Sequence, residues 1–404
     1  MRLNLLFLFG LLLIGRPLFS QSGWLPQQSN TTNSLKGIYF FDKFNGIAVG
    51  NQGTIITTED GGKTWIVIDA LTKSHLQDIF FVNRNIGWIC GQNGLILKSV
   101  DGGKTWEPQA TNVTNWLYNI YFFNEYLGFA VGDGGIILKT TDGGTTWSRT
   151  QVAAPYLYCV SFLNDSVGIV VGYQGFLAIT RDTGKVWEQV ELNLDDALLK
   201  CFFKKDKCWV ITNRGKILTS VEPFTIWQTK QVTDDNDALM DVFFPTDSIG
   251  WGVTWGGKVL KTNNLGLNWS VQFKTTFKLF KVFFVDEYNG WVVGENGVIY
   301  FTNTGGEEPS IIDDPSVSIF EYFDIRFIPI SKTLHLRFKV LKSSNVKINL
   351  FDFSCRIICN IANGQFNSNV VNEIDFDVSF LPNGIYFLSF DTMNHAKIDK
   401  IMIY

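Results

Sequence analysis

Tryptophan recurs at Trp24, Trp65, Trp106, Trp147, Trp187, Trp227 and Trp269, in steps of 41, 41, 41, 40, 40 and 42 residues. A fixed period of about forty residues marks a repeat architecture, in which no unit can bury its apolar face alone. The function of such a chain sits on surfaces that several repeats build together. Within the second repeat, Leu76 to Phe81 alternates and ends in aromatics, and Gly87 to Cys90 reads as a second strand. Gly91-Gln92-Asn93-Gly94 has hairpin chemistry, Leu95 to Lys98 is a third strand, and Trp106 opens a fourth. Four short strands per repeat make one propeller blade.

The blades can be counted independently from the glycine-bounded second strand. It starts at Gly46, Gly87, Gly128, Gly168, Lys207, Gly250 and Gly290. The seventh copy ends at Thr302-Asn303-Thr304-Gly305-Gly306 with no Trp after it, while Gly23-Trp24-Leu25 is a spare fourth strand at the other end of the chain. The pattern predicts an all-β, seven-bladed β-propeller over residues 21–308, with the N-terminus completing the last blade. Closure of that kind removes exposed sheet edges.

Each periodic Trp follows an Asp-box pattern, Ser/Thr-x-Asp-x-Gly-x-Thr-Trp. Three copies are complete, around Asp60 and Trp65, Asp101 and Trp106, and Asp142 and Trp147. A fourth keeps Asp182 and Trp187 but has Val186 in place of Thr. Later copies decay: Glu222 and Trp227 lack the glycine, and Asn264 and Trp269 lack the acid. A carboxylate in such a turn accepts N–H groups from its own loop, and glycine supplies positive φ. Acids that recur in repeated turns read as structural staples rather than metal ligands or catalysts.

The two ends have other roles. Residues 1–20 read as a secretory signal peptide: Arg2, an apolar run from Leu3 to Ile14, then Leu18-Phe19-Ser20 before Gln21. The run is too short to span a bilayer, and no later segment approaches about eighteen unbroken apolar residues, so no transmembrane helix is expected in the mature protein. Without those residues 32 basic and 38 acidic side chains remain, a balance unsuited to nucleic acid. Residues 309–319 form an acidic, proline-broken linker, and residues 320–404 read as a small β-sandwich without the period. Its strands are expected at Thr333 to Val340, Val346 to Phe353, Ile374 to Val378, Ile385 to Phe390 and Ile398 to Tyr404. The six cysteines do not form a disulfide framework. Cys90, Cys159 and Cys201 fall at inward strand positions, and Cys355 and Cys359 would lie roughly 13 Å apart along one strand. Small buried thiols are the expectation, although one bridge between non-neighbours stays open.

In the tail, Val346 to Ile358 resembles the V-x-L-Y-D-x-x-G-R-x-V strand of the type A C-terminal sorting domain of the type IX secretion system. Phe380-Leu381-Pro382-Asn383-Gly384-Ile385-Tyr386-Phe387-Leu388 resembles its L-P-x-G-I-Y-x-L strand, and Lys397 to Ile403 its Lys-bearing last strand. The sequence departs at Phe327-Ile328-Pro329-Ile330, where the family has Tyr-Pro-Asn-Pro, and at Cys355, where glycine is common. The resemblance implies recognition by outer-membrane secretion machinery in a Bacteroidota-type bacterium. It also implies release or surface attachment once the domain is cut off. The alternative is an ordinary adhesive sandwich.

The blades, through Gly128 to Gly132 and Thr140 to Trp147, are similar to the photosystem II assembly and stability factor family, a seven-bladed secreted propeller. That resemblance implies a scaffold that binds a partner protein through an arginine-rich patch. Here Arg84, Arg149, Arg181 and Arg214 are scattered over different blades, so the fold carries over and the photosynthetic role does not. A sialidase would need three converging arginines, and these do not qualify. Asp78 and Asp241 share an inner-strand position read as carrying Asn119, Cys159, Cys201 and Val282 in other blades, too freely emptied of acid to suggest a catalytic pair. No His/Cys cluster has metal spacing, and the histidines His75, His335 and His395 are isolated. No catalytic residue, metal or cofactor is expected.

Strand alternation puts the turns between second and third strands on the same propeller face as the loops leading into first strands. Tyr173, Arg214 and Trp255 stand in those turns on blades four, five and six, and His75, Trp116 and Tyr156 precede the first strands of blades two to four. The expectation is an arc of aromatic and cationic side chains around the channel mouth that binds a protein or glycan partner, since Trp, Tyr and Arg are enriched at binding hot spots. The other readings are that these rings cover neighbouring blades, or that the same face belongs to an Asp-box glycan hydrolase.

Overall fold

The computed structural model describes residues 23–233, 237–307, 320–340, 343–352, 356–368, 370–391 and 396–403. The expected signal peptide, the 309–319 linker, Cys355 and His395 lie outside them. Contacts divide the chain into two compact units, 1–307 and 308–404.

Among the described residues the first unit is seven four-stranded antiparallel sheets. Inner strands are Leu35–Phe40, Leu76–Phe81, Leu117–Phe122, Leu157–Phe162, Leu198–Lys204, Leu239–Phe243 and Leu279–Phe284, here numbered blades one to seven. Six blades are built from consecutive strands. In the seventh, Leu279–Phe284, Gly290–Gly294 and Ile299–Gly306 are completed by Gly23–Gln27, which pairs antiparallel with Ile299–Gly306.

The period of about forty residues follows from how blades stack. The Trp that opens a fourth strand meets the last aromatic of its own blade's inner strand edge-on. Trp65 meets Phe40 at 5.9 Å and 90°, Trp147 meets Phe122 at 6.0 Å and 87°, and Trp269 meets Phe244 at 6.0 Å and 72°. Trp24 makes the same contact with Phe284, at 5.8 Å and 86°. In blade five Phe224 takes this place against Phe203, at 5.7 Å and 64°, and Trp227 is only half-buried. Between blades, Trp88 stacks on Phe122 at 3.4 Å and Trp291 on Phe40 at 3.5 Å. The glycine that starts most second strands makes room for this layer, since a Cβ on Gly128 would sit 2.3 Å from the Phe122 ring.

The turn that follows the third strand is centred on a hydroxyl in six blades. Thr58, Ser99, Thr140, Thr180, Thr262 and Thr302 each accept the backbone N–H of the glycine four residues on, at 2.7–3.0 Å. Asp142 then accepts the Thr146 N–H at 2.9 Å and its hydroxyl at 2.6 Å. Those bonds from Thr146, with one from Thr140, bring its carboxyl down to about 2. Where the acid is lost, Asn264 still accepts the Asn268 N–H at 2.8 Å, so blade six keeps its turn.

The second unit packs two sheets. Phe320–Ile328, Thr333–Val340 and Val371–Asp377 form one, and Ile357–Phe366, Ser344–Phe351, Gly384–Asp391 and Ala396–Ile403 the other. Leu334, Leu336 and Phe338 share a core with Val346, Ile348, Leu350, Leu388 and Phe390. The strands Phe320–Ile328 and Ile357–Phe366 were not separated in the sequence. Cys359 is half-buried on the second of these, whereas Cys90, Cys159, Cys201 and Cys208 are buried free thiols.

Candidate functional site

One irregularity recurs in every blade and shapes the channel mouth. The ladder between inner and second strands slips between the first and third inner-strand residues, for example between Leu117 and Asn119, Leu157 and Cys159, and Leu279 and Lys281. The second residue is left out of the ladder, and a bulge of this kind re-aims a side chain. On successive blades it is Lys36, Gln77, Tyr118, Tyr158, Leu199, Met240 and Phe280. These residues directly follow the loops that carry His75, Trp116 and Tyr156.

On blades two to four the rings form a connected series. His75 stacks on Trp116 at 5.7 Å, Trp116 reaches Tyr118 at 6.3 Å, and Tyr118 reaches Tyr158 at 5.6 Å. Tyr158 stacks on Tyr156 at 6.2 Å, and Tyr156 meets Tyr173 edge-on at 5.8 Å. Tyr156 and Tyr173 remain 40% and 39% exposed. The series is anchored at both of its turns. The Gln52 N–H donates to His75 Nδ1 at 3.3 Å, and the Tyr118 hydroxyl donates to Asp133 at 2.6 Å. Burial, that bond and the Asp133 charge all raise the Tyr118 phenol. Sequence reading supplied four of these six rings; Tyr118 and Tyr158 were missed because their exposure depends on the bulge.

Trp255, 46% exposed, stands apart on blade six. It meets Phe280 at 5.8 Å, with the Lys278 ammonium 4.6 Å from its ring and Lys36 3.4 Å from the Phe280 ring. Burial, opposed by Glu295 and assisted by Lys278, lowers the Lys36 amine to about 8. Arg214 joins neither group. Its Nε lies 3.7 Å from Asp196, a carboxylate 1% exposed that also takes Lys216 at 3.1 Å and the Thr212 hydroxyl. A buried acid needs these partners, so the expected single arc is two aromatic patches separated at blade five.

Below the mouth, the strand register corrects the sequence alignment. The residues paired as Asp78 is with Cys90 are Gly37, Asn119, Cys159, Lys200, Asp241 and Lys281, so lysines stand where Cys201 and Val282 were expected. The channel waist is therefore two acids and two lysines. Lys281 lies 2.9 Å from Asp78, which also accepts Asn119 at 2.6 Å, and Asp241 accepts the Val282 N–H at 3.2 Å. Burial disfavours the Asp78 carboxylate, but Lys281 and Lys200 outweigh it and lower its pKa. Burial also disfavours the Lys200 ammonium, and Cys159, Asp241 and Asp78 outweigh that and raise it. Asp60, Asp101, Asp142 and Asp182, with Trp65, Trp106, Trp147 and Trp187, are engaged in the turns and blade cores at the opposite end of the strands. Among the described residues no group of three or more His, Cys, Asp or Glu could hold a metal ion.

Fold and site together define a closed propeller with a ring-lined mouth and a neutralised channel, followed by a separate β-sandwich. Residues 17–106 and 65–156 match the family described as photosynthesis system II assembly factor YCF48, and residues 328–404 match the secretion system C-terminal sorting domain. A solved structure of YCF48 bound to D1 peptide is similar, with 21% identity and a TM-score of 0.60 over 70% of this chain and 97% of that one. YCF48 from Cyanidioschyzon merolae follows, with 19% identity and a TM-score of 0.58 over 69% and 98%. The extracellular domain of a putative hybrid two-component system from B. thetaiotaomicron shares 12% identity and a TM-score of 0.59, over 95% of this chain and 57% of that one. Comparison with curated proteins gives no sequence match. The chain thus joins a YCF48-like propeller to a secretion-system sorting domain, and such a tail implies secretion or the cell surface. Among the described residues no helix is long and apolar enough to cross a membrane.

Proposed function

We propose that this protein is a non-enzymatic binding propeller, exported through its C-terminal sorting domain, that takes a protein or glycan partner on the loop face. The observation that carries this reading is the connected series from His75 to Tyr173, six rings over three blades held by hydrogen bonds at its turns. Rigid, half-exposed aromatics bind at low entropic cost. A solved structure of a similar fold carries a bound peptide, which supports a polymer as the kind of ligand. The channel acids are already engaged, Asp78 by Lys281 and Asn119 and Asp241 by the Val282 N–H, so neither is offered to a glycan on the loop face.

The test measures binding of the purified protein to immobilised surface polysaccharides and to outer-membrane proteins of the native host. Trp116→Ala and Tyr173→Ala should each weaken the captured ligand by about thirty-fold, the equivalent of a hot-spot loss of about 2 kcal/mol. Unchanged affinity in both variants, or turnover of the ligand, refutes the reading. The export half is tested separately. Intact mass of protein from the cell surface or medium should lack residues 320–404, and a periplasmic protein still ending at Tyr404 would contradict it.

A further inference from the structure

The channel end opposite the loop face is a cavity of about 340 Å³. Its wall is set by the fifth residue of each inner strand. This is aromatic in six blades, at Tyr39, Phe80, Tyr121, Phe202, Phe243 and Phe283, and is Ser161 in blade four. Neighbouring rings touch, with Tyr39 and Phe243 each 5.0 Å from Phe283 and Phe80 5.3 Å from Tyr121, while Ser161 leaves a notch in the wall. The floor is the waist of Asp78, Asn119, Lys200, Asp241 and Lys281. Half-buried rings around a concave space of this size, with few polar groups, have the make-up of a small-molecule site.

We propose that this cup is a second binding site, for a small uncharged planar aromatic or heteroaromatic molecule. Four observations select that chemistry. The wall offers ring faces and edges, which favour a flat aromatic guest. The floor's two acids and two lysines neutralise one another, so an ionic guest would lose its hydration without an unpaired countercharge. At the rim, Lys204 is engaged by the Phe244 carbonyl at 3.3 Å and by Asp247 at 3.8 Å. The hydroxyls of Tyr39 and Ser161 line the cup without a hydrogen-bond partner among the described residues, and Ser161 is 7% exposed. They are placed to meet the hydrogen-bonding edge of the guest. The cup lies beyond the waist from the loop face and does not rest on the function proposed for that face.

The probe is N-phenyl-1-naphthylamine, uncharged and fluorescent in apolar surroundings, titrated into the full-length protein. Saturable one-to-one binding is expected. Ser161→Phe gives blade four the residue type of its neighbours and fills the notch; it should weaken binding at least tenfold without lowering the unfolding midpoint. Phe243→Leu, a core-sized exchange in the opposite wall, should weaken it comparably and serves if Ser161→Phe does not fold. Trp116→Ala, on the other face, should bind the probe like the parent. Non-saturable fluorescence, or saturable binding unmoved by both cup variants, overturns the proposal.

Discussion

Lys281→Met is the sharpest perturbation of the channel. The ammonium lies 2.9 Å from Asp78, itself 5% exposed, so removing it strands a carboxylate whose remaining direct partner is the Asn119 amide. Breaking a buried pair from one side costs about 3–5 kcal/mol, a large share of a typical total stability of roughly 5–15 kcal/mol. At roughly 2 °C per kcal/mol for a domain of this size, the melting midpoint should fall by about 6–10 °C. The double variant Asp78→Asn/Lys281→Met removes both charges and should recover most of the loss, which a double-mutant cycle by denaturant unfolding would quantify. In the parent the Asp78 pKa is lowered, so its contribution is present above the unfolded carboxylate range and fades as pH falls through the folded value. Without Lys281 burial prevails and the folded pKa rises, so the deficit should be largest near neutral pH and shrink towards about pH 4. A loss below about 1 kcal/mol, or a deficit independent of pH, would refute the ion-pair waist.

Trp24→Ala should cost about 3–5 kcal/mol in thermal or urea unfolding, like Trp65→Ala, because both rings fill the same edge-on site, whereas the half-buried Trp227→Ala should cost less. Equal melting of Trp24→Ala and the parent would mean the N-terminal strand does not close the ring. Thr140→Val leaves the Gly144 N–H without its acceptor inside the turn and should cost about 1–3 kcal/mol by denaturant titration. Lys36, lowered to about 8, should reach half-maximal acylation near that pH in competitive labelling, well below the surface lysines. Because its folded pKa is depressed, the cost of burying its charge applies below that pH and is relieved as pH rises from about 8 towards the unfolded lysine value.

The sequence by itself determined the architecture. The spacing of Trp24 to Trp269 and of the second-strand glycines carries period and copy number, because each blade must place one ring edge-on against its inner-strand aromatic. The spare strand at Trp24 and the missing one after Gly306 are likewise local facts of the chain. The type of the candidate face was legible too, in His75, Trp116, Tyr156 and Tyr173 beside the channel. Tertiary structure decided which of these residues meet. The bulge that exposes Tyr118 and Tyr158 is a mismatch between two strands and leaves no mark on either one alone. Arg214 keeps an exposed side chain, but only the fold shows that its Nε lies beside the buried Asp196. Lys200 and Lys281 align with Asp78 only once strand register is fixed, since a one-residue slip exchanges a channel position for a core position. Charge neutralisation across the waist joins blades two, five, six and seven, and a cup walled by all seven blades has no counterpart in any one repeat. Such groups exist only when the ring closes.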